Sequence, residues 1–341
     1  MDVRRSVAVL STNGPERRIE EGKMAKENFR KAVVVGTGLM GPGIAVTLAS
    51  AGCEVSLYGL DQELTDEGMR SVRAAVTTLR EGRRLAAADG EAILERVQGT
   101  IDLETAAATA DIITESIIEN LKAKQDLFLR VERVCPPDAV ITSNTSGLPA
   151  AQLAGVLARP ERFAVTHFWN PPHIMPLVEI IKGEKTSEDT IESLLSLLRR
   201  AGKKPVVVRK DTPGQLGNRL LHALIREAYW VVQEGIASPE DVDTAIKYGL
   251  GRRFPVYSLL EHLDIIGLDM VLAIQSYMCQ ALCNETEPAR VLREKVAAGN
   301  LGLKTGQGFF DWHKRDAKLL LKRRDSFLVE LLKAETGPPG D

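Results

Sequence analysis

From Lys31 onward, short apolar runs rich in β-forming residues alternate with longer stretches whose apolar positions recur every three or four residues. The runs KAVVVG, CEVSLY, DIITES, DAVITS, RFAVTH, PLVEII and KPVVVR predict strands. Between several of them, PGIAVTLASAG, LTDEGMRSVRAAVTTLREG, LKAKQDLFLRVERVC and TIESLLSLLRRAG predict helices. Strands alternating with helices are the mark of a mostly parallel, doubly wound α/β sheet. The pattern stops at KDTPGQ, where Pro213 and Gly214 punctuate the chain.

Beyond that point the strand pattern is gone. LGNRLLHALIREAYWVVQEG places Leu216, Leu220, Leu221, Leu224, Ile225 and Ala228 at helical spacing. In ASPEDVDTAIKYG, Ser238 is the expected N-cap, Pro239 the first helical residue and Gly249 the stop. Glu240, Asp241 and Asp243 put negative charge near the helix start, where the dipole favours it. DIIGLDMVLAIQSYMCQALC and EPARVLREKVAAG continue the helical pattern. The expected layout is a disordered extension over 1–29, an α/β domain over 30–212, an all-helical domain over 213–325 and a tail over 326–341. The extension has one apolar block, SVAVL, too short for a secretory signal; a start at Met24 is the alternative reading.

A chain of 341 residues accommodates two such domains, and 44% hydrophobic with 26% charged residues lets it bury a core. A net charge of −2 offers nothing to nucleic acid or to an acidic membrane, and no basic stripe or aromatic platform is visible. No apolar run approaches the roughly 18 residues of a membrane span. Cys53, Cys135, Cys279 and Cys283 form no CxxC pair and no metal-ligand spacing, so no metal is expected. Cys279 and Cys283, one helical turn apart, read as packed thiols, and the cysteine usage fits a reducing, cytoplasmic compartment.

Two segments carry chemistry. In KAVVVGTGLMGPGIAVTLASAG, Gly36, Gly38 and Gly41 stand in G-x-G-x-x-G register between a strand and a helix. The first glycine permits the tight turn, the second lets a pyrophosphate approach the backbone, and the third lets helix and strand pack closely. The exposed amides and the helix dipole attract phosphate. The loop Gly36, Thr37, Gly38, Leu39, Met40 and Gly41 is therefore the expected dinucleotide site, on a Rossmann-type sheet. Asp61 follows the last glycine by about 20 residues, as a ribose-binding acid does, although Gly59 stands directly after the strand. Asp61 either reaches the ribose or caps the next helix. No basic residue stands there to greet a 2′-phosphate, which favours NAD over NADP.

In HFWNPPHIMPLVEI, His167 ends one apolar run and Glu179 sits inside the next. A buried carboxylate needs a partner. A neutral imidazole can accept the proton of an alcohol as hydride leaves carbon, and a carboxylate on its other nitrogen fixes the tautomer. The competing reading is a histidine satisfied in the core. His173, between the two, reads as pocket-lining or solvent-facing.

GTGLMGPGIA, IIENLKAKQDLF, SNTSGL, HFWNPPHIMPLVEI, DTPGQLGNRL, EGIASPEDVDTAIKYGLG and GLKTGQGFFDW occur in the order found in the 3-hydroxyacyl-CoA dehydrogenase family, which residues 30 to 313 resemble. The resemblance implies His167 as general base and Glu179 as its orienting carboxylate. It places Ser146 and Asn218 on the substrate oxygen, and Glu119, Lys124, Asn170 and Lys304 on the cofactor. It also implies a homodimer built through the helical domain. The implied reaction is NAD-dependent oxidation of a short-chain 3-hydroxyacyl-CoA. Two departures widen the choice of substrate. RRFPVYSLLEHLD keeps Glu261 and Asp264 but lacks the family's Gly-Pro, and Gln215 and Gly217 replace a bulkier apolar pair. A free hydroxy acid of gulonate, carnitine or pyridine-carboxylate type is the alternative, with Arg252 and Arg253 as candidate carboxylate clamps. Arg70 and Arg73 are candidates for a CoA phosphate. A non-catalytic cofactor-binding protein is a third reading, against which the intact His167 and Glu179 argue.

Overall fold

The computed structural model describes residues 29–82 and 85–334; the expected N-terminal extension lies almost wholly outside the described residues. Its last residue, Phe29, is buried in the core and accepts a hydrogen bond from the Cys53 thiol at its carbonyl. The α/β part runs β1 (Lys31–Val35), α1 (Gly41–Ser50), β2 (Glu54–Tyr58), α2 (Gln62–Glu81), α3 (Ala87–Arg96), β3 (Val97–Thr100) and α4 (Leu103–Ala107). It continues with β4 (Ile112–Glu115), α5 (Leu121–Glu132), β5 (Val140–Ser143), α6 (Ala150–Ala154), β6 (Phe163–Phe168), β7 (Leu177–Ile181), α7 (Glu188–Arg200) and β8 (Lys204–Val208).

The eight strands form one sheet in the order β3-β2-β1-β4-β5-β6-β7-β8. Pairings are parallel except β6 with β7, which are antiparallel. Helices cover both faces, so successive residues of a strand enter different cores. Ala32 and Val34 join the cluster under α1 and α2, whereas Val33 and Val35 join the one under α4 and α5. This is why the strands read as continuous apolar runs rather than alternating ones. The strand β3 escapes that pattern because VQGT buries one residue, Val97, at the sheet edge. Strand order reverses at β1, whose neighbours are β2 and β4, and the crevice beyond the carboxyl ends there is where α/β sheets take ligands.

After Pro213 the chain is helical: α8 (Gly217–Gln233), α9 (Pro239–Ala245), α10 (Gly251–Arg253), α11 (Leu259–Ile266), α12 (Leu268–Ala281), α13 (Arg290–Ala297) and α14 (Ala317–Ala334). Ser238 caps α9 as expected, accepting from Asp241 N–H. Gly249 does not stop it. The chain passes through a π turn, Ile246–Leu250, directly into α10, and Gly249 lacks the left-handed φ of a terminating glycine. Gly267, with φ 95°, is the residue that separates α11 from α12.

Among the described residues, none in α8–α13 is buried. Leu220, Leu260 and Leu272, on three of these helices, are 63%, 73% and 69% exposed. The expected packed thiols are corrected too: Cys279 is exposed and bonds Gln275, Cys283 is buried, and all four cysteines are free.

Of the expected tail over 326–341, residues 326–334 belong to α14 and the rest lie outside the described residues. Val329 and Leu332 of α14 return to the α/β part and bury themselves in the same core as α1 and α2. A Cβ on Gly82 would lie 2.0 Å from Val329 Cγ1, so the missing side chain makes the hollow that Val329 fills. Among the described residues, no helix is long and apolar enough to cross a membrane.

Candidate active site

The glycine loop lies at the reversal point, between β1 and α1. Gly36 has φ 118°, a region side chains avoid, and a Cβ there would sit 2.4 Å from the Ser116 carbonyl oxygen at the end of β4. A Cβ on Gly41 would lie 1.8 Å from the Gly36 carbonyl oxygen. Protein packing therefore demands these two glycines. Gly38 differs: a Cβ there meets no described atom within 4 Å. The space over this backbone is open, as the approach of a pyrophosphate requires. Leu39, Leu60 and Ile118, which follow β1, β2 and β4, are 79%, 79% and 72% exposed and offer an apolar rim to a dinucleotide. Thr37 packs toward α2 near Gly68, and Met40 is the N-cap residue of α1 without a side-chain cap. These residues fit NAD.

A direct test separates the two kinds of glycine. Gly38→Ala is expected to fold with unchanged thermal stability and to bind NAD at least about tenfold more weakly by calorimetry. Gly41→Ala is expected to lower the melting temperature first, because its methyl has nowhere to go.

The antiparallel pairing of β6 with β7 sets His167 directly opposite Glu179. Their side chains meet at 2.8 Å, His167 Nδ1 to Glu179 Oε2, with both residues buried. Oε2 also accepts the Trp169 indole N–H at 3.0 Å. Oε1 accepts the backbone N–H groups of Leu216 at 2.9 Å and Gly217 at 2.8 Å, at the start of α8. Burial pushes the Glu179 carboxyl up, but the donors from His167, Gly217, Trp169 and Leu216 outweigh it and bring the pKa to about 2. A ring held this way at Nδ1 leaves Nε2 to take a proton.

Ser146 and Asn218 stand on segments tied to this pair. Asn144 Oδ1 accepts the N–H of Phe168, the residue after His167, at 2.9 Å. Gln215 Nε2 donates to the Thr145 carbonyl at 3.2 Å, joining the Ser146 loop to the approach to α8. Asn218 follows Gly217 and is the second residue of α8; the N-cap position belongs to Leu216, so Asn218 is not spent as a cap. The loop after β5, the β6–β7 pair and the start of α8 are thus bound to one another.

Other expected cofactor residues serve the same loop. Glu119 Oε1 accepts the Thr145 hydroxyl and the backbone N–H groups of Ser146 and Gly147. Burial raises the Glu119 carboxyl, but Thr145 and Lys124 bring it below the usual carboxylate range. Lys124, which as a bare sequence position passes for a surface lysine, is 1% exposed. It is paired with buried Glu115 and, at 3.3 Å, with Glu119. Ser143 donates to Glu115 as well. Asp61 caps α2 through Oδ1, accepting from Leu64 N–H, which realises the capping alternative. Asn170 is exposed just beyond β6, and Lys304 is exposed in the loop after α13.

His173 is partly buried, away from the His167–Glu179 contact. A Cβ on Gly43 of α1 would lie 3.0 Å from its Nδ1, and burial, then Lys203, push its pKa down to about 4. Sequence reasoning passed over Glu115, Trp169 and the interactions of Gln215. Trp169 carried a signal in its indole N–H, which finds a partner when buried. Gln215 carried none: it is 5% exposed with φ 53°, and its Oε1 has no partner among the described residues.

Residues 31–212 match the family described as 3-hydroxyacyl-CoA dehydrogenase, NAD binding domain, and residues 214–312 match the C-terminal domain of the same family. The chain is 35% identical over 301 residues to 5-formyl-3-hydroxy-2-methylpyridine 4-carboxylate 5-dehydrogenase of Mesorhizobium japonicum, covering 88% of this chain and 96% of that one. It is 37% identical over 288 residues to a probable 3-hydroxybutyryl-CoA dehydrogenase of Bacillus subtilis, covering 84% and 99%. Among solved structures, the NAD+-dependent pyridine-carboxylate 5-dehydrogenase superposes with a TM-score of 0.84 at 34% identity, over 91% of this chain and 99% of that one. The (S)-3-hydroxybutyryl-CoA dehydrogenase of Ralstonia eutropha gives 0.70 at 35% identity, over 84% and 99%. The motif order, the sheet with its glycine loop and these matches lead to one assignment: the chain belongs to the 3-hydroxyacyl-CoA dehydrogenase family of NAD-dependent oxidoreductases.

Proposed function

We propose that this enzyme oxidises the 3-hydroxyl of a short-chain 3-hydroxyacyl-CoA, with His167 as general base and Glu179 as its orienting carboxylate. The observation that carries the reading is the buried His167–Glu179 contact across β6 and β7. His167 Nε2 takes the hydroxyl proton, and Glu179 stabilises the imidazolium that forms. Ser146 and Asn218 donate to the oxygen as charge develops on it. When bound at the Gly36–Gly41 loop, NAD supplies the acceptor for the hydride leaving carbon. Glu119 and Lys124 act from beneath, by holding the loop that carries Ser146.

A second reading keeps this machinery and replaces the thioester with a free hydroxy acid of pyridine-carboxylate type. The fold favours it in one respect, a TM-score of 0.84 with the pyridine-carboxylate 5-dehydrogenase against 0.70 with the hydroxybutyryl-CoA enzyme. Absorbance of reduced nicotinamide, followed with NAD and (S)-3-hydroxybutyryl-CoA and then with free hydroxy acids, separates the two. Turnover of the thioester at least about a hundredfold more efficiently supports the first; the reverse ratio establishes the second.

We also read residues 213–325 as the part that completes the pocket and forms a homodimer. Its exposed leucines on α8, α11 and α12 lack cover among the described residues, and a stable interface needs an apolar core of this kind. Sedimentation at micromolar concentration is expected to show twice the chain mass, and a monomer there would refute the dimer.

A further inference from the structure

Trp169 belongs to no role assigned so far, and neither does the exchange that put glycine at position 217. The two are one feature. Trp169 leaves the end of β6 and turns its indole across Glu179, donating to Oε2, the same oxygen that holds His167. Its six-membered ring occupies the space where a side chain at 217 would stand: a Cβ on Gly217 would lie 2.4 Å from Trp169 Cζ2. The Gly217 amide in turn donates to Glu179 Oε1.

Resting on the reading of His167 as the proton acceptor, we infer that Trp169 is a positioning residue that sets the basicity of His167 through Glu179, and that Gly217 is bare to admit it. Oε2 divides its acceptor strength between the imidazole and the indole. Without the indole, that oxygen serves Nδ1–H alone and stabilises the imidazolium more strongly. Trp169 thus weakens the hold of Glu179 on the protonated ring.

The charges around the pair are few. His167 comes from β6; the start of α8 and the indole contribute uncharged donors; and Val206 of β8 lies beside Glu179 in the sheet. His173 answers to Lys203 and Asp325 instead, and Glu115 and Glu119 are engaged with Lys124.

The test is a titration of the histidine rings by nitrogen NMR on the whole enzyme, wild type against Trp169→Phe. The His167 signals are identified by their loss in His167→Gln. The phenyl ring retains apolar bulk and lacks the N–H. The midpoint of the His167 signals is expected to rise by about half a pH unit or more. In parallel, kcat/KM is expected to fall by a larger factor at pH 6 than at pH 9. A purely structural part for the indole would lower activity equally at both pH values and leave the midpoint where it was. An unchanged or lower midpoint overturns the inference. Should Trp169→Phe fail to fold, Gly217→Ala displaces the indole from the other side, and the same rise is expected of it. Because the midpoint is read without turnover, it is independent of the base assignment, which fails separately if His167→Gln oxidises substrate at the normal rate.

Discussion

His167→Gln is expected to lower kcat by about 10³-fold, within the usual span for loss of a general base, while NAD binding measured by calorimetry stays at the wild-type value. Glutamine can bond to Glu179 through its amide, so the local packing around β6 survives, but it cannot take a proton near neutral pH. The residual rate is expected to climb with pH, as hydroxide replaces the missing base. A variant that keeps a tenth or more of wild-type turnover at pH 7 would remove His167 from the reaction.

Glu179 carries the second large effect, and its two substitutions should fail in different ways. Glu179→Gln can keep one carbonyl oxygen for the Leu216 and Gly217 amides. It then presents an NH2 group toward His167 Nδ1 and the Trp169 N–H, donor against donor. The imidazole relieves the conflict by moving its proton to Nε2, the tautomer that cannot accept one from substrate. Activity is expected to fall by about 10³-fold, with most of the stability retained. Glu179→Ala removes the acceptor of four donors at once. At about 1–3 kcal/mol for each buried group left unpaired, it is expected to unfold at distinctly lower urea concentration.

Acid offers a check on the same carboxylate. Its pKa in the folded protein, about 2, lies below the ordinary 4.5, so ionised Glu179 contributes stability above pH 4.5. That contribution is lost as pH falls from 4.5 toward 2. The stability advantage of wild type over Glu179→Gln is therefore expected to be greatest above pH 4.5 and to shrink below it in urea titrations.

The α/β part was legible because its signals are local. Seven strand runs, a glycine register and a His and Glu twelve residues apart around NPP each announce themselves within a short window, and the antiparallel turn then brings the last two together. Most of what the sequence hid lies in how separate elements meet. VQGT is not among the predicted strands; its pairing with Val55–Tyr58 of β2 makes it one. Lys124 reads as a surface lysine until Glu115, on the adjacent strand, is seen beneath it. Gly249 reads as a stop because glycine often ends helices, yet here a π turn carries the chain through. The substitution at 217 made sense once the indole of Trp169, 48 residues earlier, was seen in the vacated space.

The seat of Val329 at Gly82 also fixes an order of events during synthesis. A ribosome releases the whole nucleotide-binding sheet and its helices, through Val208, 109 residues before α14 begins at Ala317. Throughout that interval the patch formed by Leu79, Val76 and the Gly82 hollow lacks its last covering residues, and the newborn domain presents apolar surface to chaperones and to neighbouring chains. Completion of the first domain's core thus waits on α14, more than a hundred residues after its last strand.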